Sequence, residues 1–173
     1  MNAKVQVRAA QIEDATEISR AHVLAWQSAY RGIIGDDTLA SLDIEHRAQS
    51  WRRDLSSPSA DVELLVVCVD DRVVGFSSYG TPRDAAEPET GELRAINLHP
   101  DYWSQGIGSE LFLEALAGLR RLGYGRAYLW VAHGNDRAIR FYGKHGWTDD
   151  SVVKVEERFS PPLTEHRYSV NLS

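Results

Sequence analysis

Two glycines in the segment Gly106–Ser109 have a type and spacing that suit the binding of an anion. They follow an alternating apolar strand that Pro100 ends, because proline donates no hydrogen bond to a sheet ladder. They open a segment whose apolar residues recur at helical spacing from Leu111 to Leu119. The start of a helix leaves backbone N–H groups unpaired and carries the positive end of the helix dipole. The pattern therefore predicts a phosphate-binding loop, with a tight turn into a packed helix as the alternative.

Other motifs that bind phosphates, nucleophiles or metals do not fit this sequence. The loop lacks the third glycine of the dinucleotide fingerprint and the Gly-Lys-Ser/Thr of a Walker loop, which disfavours NAD and ATP. Ser104 and Ser109 do not lie in a Gly-x-Ser-x-Gly elbow, so a serine hydrolase is not indicated. The six histidines and the single cysteine show no metal-ligand spacing, and we expect no metal.

A second segment that carries a motif, Asn135–Trp147, follows a hydrophobic strand and reads NDRAIRFYGKHGW. Together the two segments resemble the GNAT superfamily of N-acetyltransferases, in which R/Q-x-x-G-x-G/A opens a helix and N-x-x-A-x-x-F-Y-x-K-x-G-F follows a later strand. Both blocks are present in this order, about thirty residues apart. The chain departs from the pattern at Trp103, where the family has Arg or Gln, and at Trp147, where it has Phe. At Trp103 a cationic or amide contact to the cofactor is lost, whereas backbone contacts can remain.

The resemblance implies acetyl-coenzyme A as the acetyl donor. By matching positions, the loop residues that would offer backbone N–H groups to the pyrophosphate are Gln105, Gly106, Ile107, Gly108 and Ser109. The strand residues that would pair with the pantetheine amides are Ile96, Asn97 and Leu98. This strand is expected to splay from Arg126–Val131 to admit the thioester, and an N–H near Leu98 would polarise the thioester carbonyl. Asn135 would hydrogen-bond the pantetheine arm, cap its helix, or do both.

Tyr142 matches the position of the family's general acid. A thiol has a pKa of about 8.5, so a nearby tyrosine hydroxyl can assist departure of the thiolate. An aromatic residue of a packed helix face is the alternative. Amines with a pKa of about 10.4 attack only when neutral, and Glu92 lies where family members with a glutamate base place it. A carboxylate at a strand edge is its alternative, and Asp101, Glu87 and Glu89 are weaker candidates because they lie in loops or turns.

Three aromatic residues, His22, Trp26 and Tyr30, recur at i, i+4 and i+8 and share one helix face if the helix reaches Tyr30. In the family, the first helix and the loop after it shape the acceptor pocket, which makes these residues candidates for substrate contact. A stripe of aromatics is more often part of the core, and this alternative stays open.

The elements that must position these residues follow from hydrophobic periodicity. The predicted order is β-α-α-β-β-β-α-β-α-β-β over residues 1–173, which form a single domain. This order gives an α/β fold with one mixed, twisted sheet and helices on both faces, as in the GNAT family. A polar loop is expected at Thr81–Thr90, and two closing strands at Ser151–Arg158 and His166–Leu172.

Composition restricts the class of protein. The chain has 173 residues and a net charge of −6, which makes wholesale electrostatic binding to nucleic acid unexpected. A single cysteine, Cys68, permits no intrachain disulfide, which fits a cytoplasmic location. The sequence contains no stretch of about 18 apolar residues and no apolar signal-peptide core, so no membrane association is expected.

The sequence therefore predicts an acetyl-CoA-dependent N-acetyltransferase in which a primary amine attacks the thioester directly in a ternary complex. Nothing in the sequence suggests the nucleophile that an acyl-enzyme would require. The acceptor is a small-molecule amine or an amine of a peptide or protein. Two alternatives are a non-catalytic acetyl-CoA sensor and an acyltransferase that uses a longer acyl-CoA. Homodimerisation is common in the family, so a homodimer stays an open alternative that no residue of the sequence demonstrates.

Overall fold

The structure, a computed structural model, describes residues 3–84 and 86–173. Its strands are β1 (Val5–Ala9), β2 (Val62–Val69), β3 (Arg72–Gly80), β4 (Thr90–Leu98), β5 (Arg126–Ala132), β6 (Thr148–Glu156) and β7 (Leu163–Asn171). Its α-helices are α1 (Ala15–Ala29), α2 (Asp36–Ala40), α3 (Ile44–Ser56), α4 (Ile107–Arg121) and α5 (Asp136–Lys144). The predicted order of strands and helices is confirmed, with the second helical region divided into α2 and α3.

The seven strands form one mixed sheet in the order β1-β2-β3-β4-β5-β7-β6. Neighbouring strands are antiparallel except β4 and β5, which run parallel. This parallel pairing is short: it joins Thr90–Glu92 of β4 to Arg126–Tyr128 of β5 and goes no further. The remainder of each strand continues to Leu98 and Ala132, so the predicted splay between the two strands is present.

Helices cover both faces of the sheet, as predicted. Helices α1 and α3 pack on one face, where Ile18 and Phe76 are fully buried. Helices α4 and α5 pack on the other face, over the largest hydrophobic cluster, which contains Leu111, Phe112 and Leu129. Burial of these apolar side chains is the main contribution that favours folding. The two layers fix α1, α4 and α5 around the splay between β4 and β5.

The closing strands begin about three residues earlier than the sequence predicted. β6 starts at Thr148 and β7 at Leu163, against predicted starts at Ser151 and His166. The pairing of β6 with β7 shifts register between Asp149 and Val153. A bulge of this kind interrupts the alternation of side chains that identifies a strand in a sequence.

Candidate active site

A cavity of about 530 Å³ opens where β4 and β5 separate. Its wall comes from α1, the ends of β4 and β5, the loop before α4, and α5. Nine residues predicted for the site line it: Tyr30, Ile96, Asn97, Leu98, Gly106, Gly108, Ser109, Asn135 and Tyr142. The structure places the other five outside this lining: His22, Trp26, Glu92, Gln105 and Ile107. Most of the predicted site residues thus line the cavity, while the other five make contacts outside its lining.

The glycine loop gives one end of the cavity an open backbone. Gly106 is the N-cap of α4 and has a φ of +84°, a left-handed conformation that glycine adopts at little cost. A Cβ placed on Gly106 would meet no atom within 4 Å. Next to it, Ile107 turns its side chain into the core, and Gln105 donates its side-chain N–H to the carbonyl oxygen of Asp101 at 2.8 Å. Of Gln105 and Ile107, only the backbone atoms are therefore positioned to contact a phosphate.

A cation–π pair lies beside this loop. The guanidinium carbon of Arg137 is 3.7 Å from the centroid of the Trp103 ring, and the Trp103 indole N–H donates to the Leu98 carbonyl oxygen at 2.7 Å. Arg137, Arg140 and Lys144 all line the cavity from α5. Trp103, which departs from the family pattern, therefore holds the positive charge of Arg137 from α5 beside the loop. These three basic residues were not predicted from the sequence, although their spacing of i, i+3 and i+7 places them on one helix face.

Tyr142 lines the cavity from α5 and is 9% exposed. Its ring packs near the ring of Phe112, with centroids 5.9 Å apart. Burial, and next the neighbouring Tyr30, raise the pKa of Tyr142 well above its usual range. The hydroxyl therefore keeps its proton at neutral pH. Asn135 caps α5, since its side-chain oxygen accepts from the Ala138 N–H at 3.3 Å, and it lines the cavity as well.

Glu92 lies at the end of the parallel pairing, where the two strands begin to separate, and its side chain is fully buried. Its carboxylate accepts from the Arg83 guanidinium at 2.6 Å and from the Arg83 backbone N–H at 2.8 Å. The carboxylate is thus held in an ion pair outside the cavity lining. Sequence patterns could not show this, because Arg83 comes from a polar loop with no periodicity.

The three predicted aromatic residues of α1 do share one face. Ring centroids are 5.4 Å apart between His22 and Trp26 and 4.9 Å apart between Trp26 and Tyr30. His22 also packs against Trp51 and Phe76. Burial, and next the charge of Arg47, lower the pKa of His22 to about 3, so this imidazole is neutral. Only Tyr30 reaches the cavity, and the core alternative describes the position of His22.

Polar side chains that were not predicted from the sequence surround Trp130, which lines the cavity from β5. The Trp130 indole N–H donates to the Asp84 carboxylate at 2.8 Å. The Lys154 ammonium lies 4.6 Å from the centroid of the same ring and 3.5 Å from the Glu165 carboxylate. These residues come from four separate segments, so only the folded chain brings them together.

Two features are absent from the part of the chain that the structure describes, residues 3–84 and 86–173. Within that part of the chain, His, Cys, Asp and Glu side chains do not gather in threes to hold a metal ion. In the same residues no helix is both long enough and apolar enough to cross a membrane.

Comparison with known proteins places this geometry in a family. The pattern of the acetyltransferase (GNAT) family matches residues 22–147. An uncharacterized N-acetyltransferase of Bacillus subtilis, YuaI, is 33% identical over 140 residues, which are 80% of this chain and 77% of that protein. A spermidine N(1)-acetyltransferase of Thermoplasma acidophilum is 24% identical over 162 residues, 90% of this chain and 98% of that protein.

A solved structure shares the fold across nearly the whole chain. The PaiA N-acetyltransferase of Thermoplasma acidophilum, crystallised with coenzyme A, superposes with a TM-score of 0.77 at 21% identity. The superposition covers 97% of this chain and 99% of that one. The two proteins therefore share one overall fold. On the family match and the similarity to YuaI, this chain belongs to the acetyltransferase (GNAT) family.

Proposed function

We propose that the protein transfers an acetyl group from acetyl-CoA to a primary amine, by direct attack in a ternary complex. The observation that carries this proposal is the cavity between β4 and β5, which has the glycine loop at one end and Tyr142 in its wall. Both features are needed for transfer, since one binds the donor and the other serves the departing thiolate. YuaI, PaiA and the spermidine N(1)-acetyltransferase, whose names describe N-acetyltransferases, support the assignment.

The phosphate end of the cavity fits the donor. The open backbone at Gly106 and the start of α4 suit a pyrophosphate, because helix N-termini attract anions. The basic side chains of Arg137, Arg140 and Lys144 add positive charge in a protein whose net charge is −6. Backbone groups of β4 beyond Glu92 face the gap, where an extended pantetheine arm can pair with them as a strand would.

Tyr142 supplies the proton chemistry at the thioester. Its phenol stays protonated at neutral pH, so it can donate to the leaving sulfur. Direct attack is favoured because Cys68, the single cysteine of the sequence, is buried on the α1 and α3 face. A thiol in that position cannot carry an acetyl group out of this cavity.

The decisive experiment measures coenzyme A binding and amine-dependent thiol release from acetyl-CoA. The amines should include spermidine, free amino acids, and a peptide with a lysine and a free N-terminus. We expect release with at least one amine, and a fall in kcat of about 100-fold in Tyr142→Phe from loss of general acid catalysis.

Tyr168→Phe is the matched control, because Tyr168 packs against the same core outside the cavity lining. It should keep wild-type activity. Tight coenzyme A binding without release by any amine would favour the sensor alternative. Faster release from a longer acyl-CoA than from acetyl-CoA would favour the other acyltransferase.

A further inference from the structure

Among the described residues, a second cavity of about 310 Å³ shares no lining residue with the first. Thr90 and Arg126, which line it, are partners in the short parallel pairing of β4 with β5. The first cavity opens where these strands separate, so the second lies toward their paired end. The remainder of its wall comes from the loop before β4 and from β6 and β7.

Strand register places two arginines of this cavity on one face of the sheet. Tyr128 of β5 stands opposite Ser169 of β7. Arg126 lies two residues before Tyr128, and Arg167 lies two residues before Ser169. Side chains two residues apart in a strand point to the same face, so both guanidinium groups project beside Tyr128. The guanidinium carbon of Arg167 is 5.7 Å from the centroid of the Tyr128 ring.

The carboxylate of Asp150 is shared by both arginines. It accepts a hydrogen bond from Arg126 at 3.2 Å and one from Arg167 at 2.8 Å. The Ser169 hydroxyl also donates to it, at 2.6 Å. Asp150 lies where the pairing of β6 with β7 shifts register, and a bulge of this kind re-aims side chains. The bulge thus brings a single negative charge to a pair of positive ones.

One of the two positive charges therefore has no counter-charge from Asp150. In the described residues, Arg126 donates to side chains through Nη2 alone and Arg167 through Nε alone. The Nη1 and Nη2 groups of Arg167 form the end of a planar fork that fits the two oxygens of a carboxylate. Glu87, an exposed residue of the loop, also lines the cavity and disfavours a ligand with a second negative charge.

Tyr128 supplies a further donor in the same place. Its side chain lines the cavity and is 3% exposed, and its hydroxyl has no hydrogen-bond partner among the described residues. A buried polar group without a partner costs free energy. Burial, and next the Glu92 and Asp84 carboxylates, raise the pKa of Tyr128 to about 12, so the hydroxyl is a donor at neutral pH. An anionic oxygen in the cavity would satisfy it.

We propose that this second cavity binds a small monocarboxylate. Its oxygens accept hydrogen bonds from the Arg167 fork and the Tyr128 hydroxyl, and Arg126 adds positive charge. The single charge of the ligand matches the one guanidinium that Asp150 leaves without a counter-charge. The site is independent of the acetyltransferase assignment, because it lies outside the cavity that the donor would occupy.

The test is calorimetric titration of the full chain with propionate and with propionamide, an uncharged analogue of the same shape. Propionate should bind one saturable site with a Kd below about 10 mM, and propionamide should bind at least about 10-fold more weakly. Inorganic phosphate, largely a dianion just above neutral pH, should bind more weakly than propionate. Saturating coenzyme A should leave the affinity for propionate unchanged.

Substitution of Arg167 tests the fork. Arg167→Met should weaken propionate binding by about 10- to 100-fold, and Arg167→Lys should recover only part of the loss because lysine keeps the charge without the planar fork. Arg52→Met is the matched control, since Arg52 of α3 also pairs with a carboxylate at 2.8 Å, that of Glu45. This control should bind propionate as the wild type does.

Tyr128→Phe separates a binding role from a structural one. Removal of a buried hydroxyl that has no partner should leave the urea midpoint of unfolding unchanged or raise it, and should weaken propionate binding about 5-fold. A lower midpoint with wild-type affinity would mean that the hydroxyl stabilises the fold, and would overturn its assignment to a ligand.

Three other results would overturn the proposed site. Equal affinity for propionate and propionamide would remove the role of charge. Tighter binding of phosphate than of propionate would contradict a monocarboxylate. Loss of propionate binding in saturating coenzyme A would mean that propionate occupies the first cavity. Since each result concerns propionate binding, the acetyltransferase assignment stands or falls separately, on amine-dependent thiol release.

Discussion

The two ends of the cavity differ in composition: backbone atoms form most of one end, and side chains from distant segments form the other. The end proposed to bind phosphate consists of exposed backbone at Gly106, the start of α4, and one basic face of α5. The end proposed to bind the acceptor consists of side chains from the C-terminal end of α1, the loop after β3, β5, β6 and β7, with Tyr30 and Trp130 at its surface. A backbone site depends on a local sequence motif, whereas a site made of side chains from distant segments depends on the whole fold. The donor end can therefore be shared across a family while the acceptor end varies.

The first way to test this comparison is to add a side chain to the backbone at the phosphate end. Gly106→Val should weaken coenzyme A binding about 30-fold, because the side chain would occupy space that a phosphate must approach and would disturb hydrogen bonds to a charged group. Gly146→Val is a matched control, since Gly146 has the same φ of +84° and the same free space, outside the cavity lining. Calorimetric titration with coenzyme A measures both affinities. Equal losses in the two variants would show that backbone strain, and not the phosphate, accounts for the effect.

The second test concerns Arg137, the basic side chain of α5 that stacks on Trp103 at the end proposed to bind phosphate. Arg137→Ala should weaken coenzyme A binding about 10-fold, and the difference should shrink as salt is added, because the guanidinium is exposed and screened. Arg121→Ala removes the same charge from the surface of α4, where Arg121 pairs with Glu114 at 3.2 Å. This control should bind as the wild type does. Affinity unchanged in Arg137→Ala would mean that the stacked pair with Trp103 serves packing alone.

The third test determines whether His22 belongs to the acceptor end of the cavity or to the core. His22 has a pKa of about 3 when folded, against about 6.5 when unfolded, so the unfolded chain binds more protons between these values. The contribution of His22 to stability is therefore complete above about pH 6.5 and falls as the pH decreases toward 3. Between pH 7 and pH 5 this group should cost the wild type about 1–2 kcal/mol of unfolding free energy.

His22→Phe keeps an aromatic ring and should remove this loss, as urea unfolding at both pH values would show. His46→Gln changes an exposed histidine of α3 and should retain the wild-type loss. If His22→Phe keeps the wild-type activity, His22 is part of the core. A large rise in the KM for the acceptor amine would instead show that His22 contributes to the acceptor pocket.

The residues proposed to bind phosphate could be found in the sequence because their signals are local. Gly106, Asn135 and Tyr142 belong to two short blocks of fixed spacing, and the alternation of β1 and β4 with the β-branched run of β2 identified these strands. All three residues lie on one cavity in the structure. The separation of β4 from β5 came from the family resemblance, since no pattern of side chains encodes a gap between strands.

The acceptor end could not be predicted in the same way. The sequence placed Glu92 near the start of its strand, but its ion pair with Arg83 depends on how a polar loop folds over the sheet. Glu165 is one of 25 acidic residues, and nothing in its neighbours along the chain distinguishes it. Its position follows from strand register and from Lys154, which are properties of the assembled sheet.

The short parallel pairing between β4 and β5 also bears on how the sheet holds together. In the described residues the ladder between β4 and β5 has three residue pairs, at Thr90–Glu92 and Arg126–Tyr128. An extended ligand in the gap would act as a temporary eighth strand and complete the ladder. A ligand that binds only the folded state stabilises it by mass action. The free energy that holds the two half-sheets together would then increase with the concentration of the co-substrate. The stability of the sheet would thus depend on how much co-substrate is present.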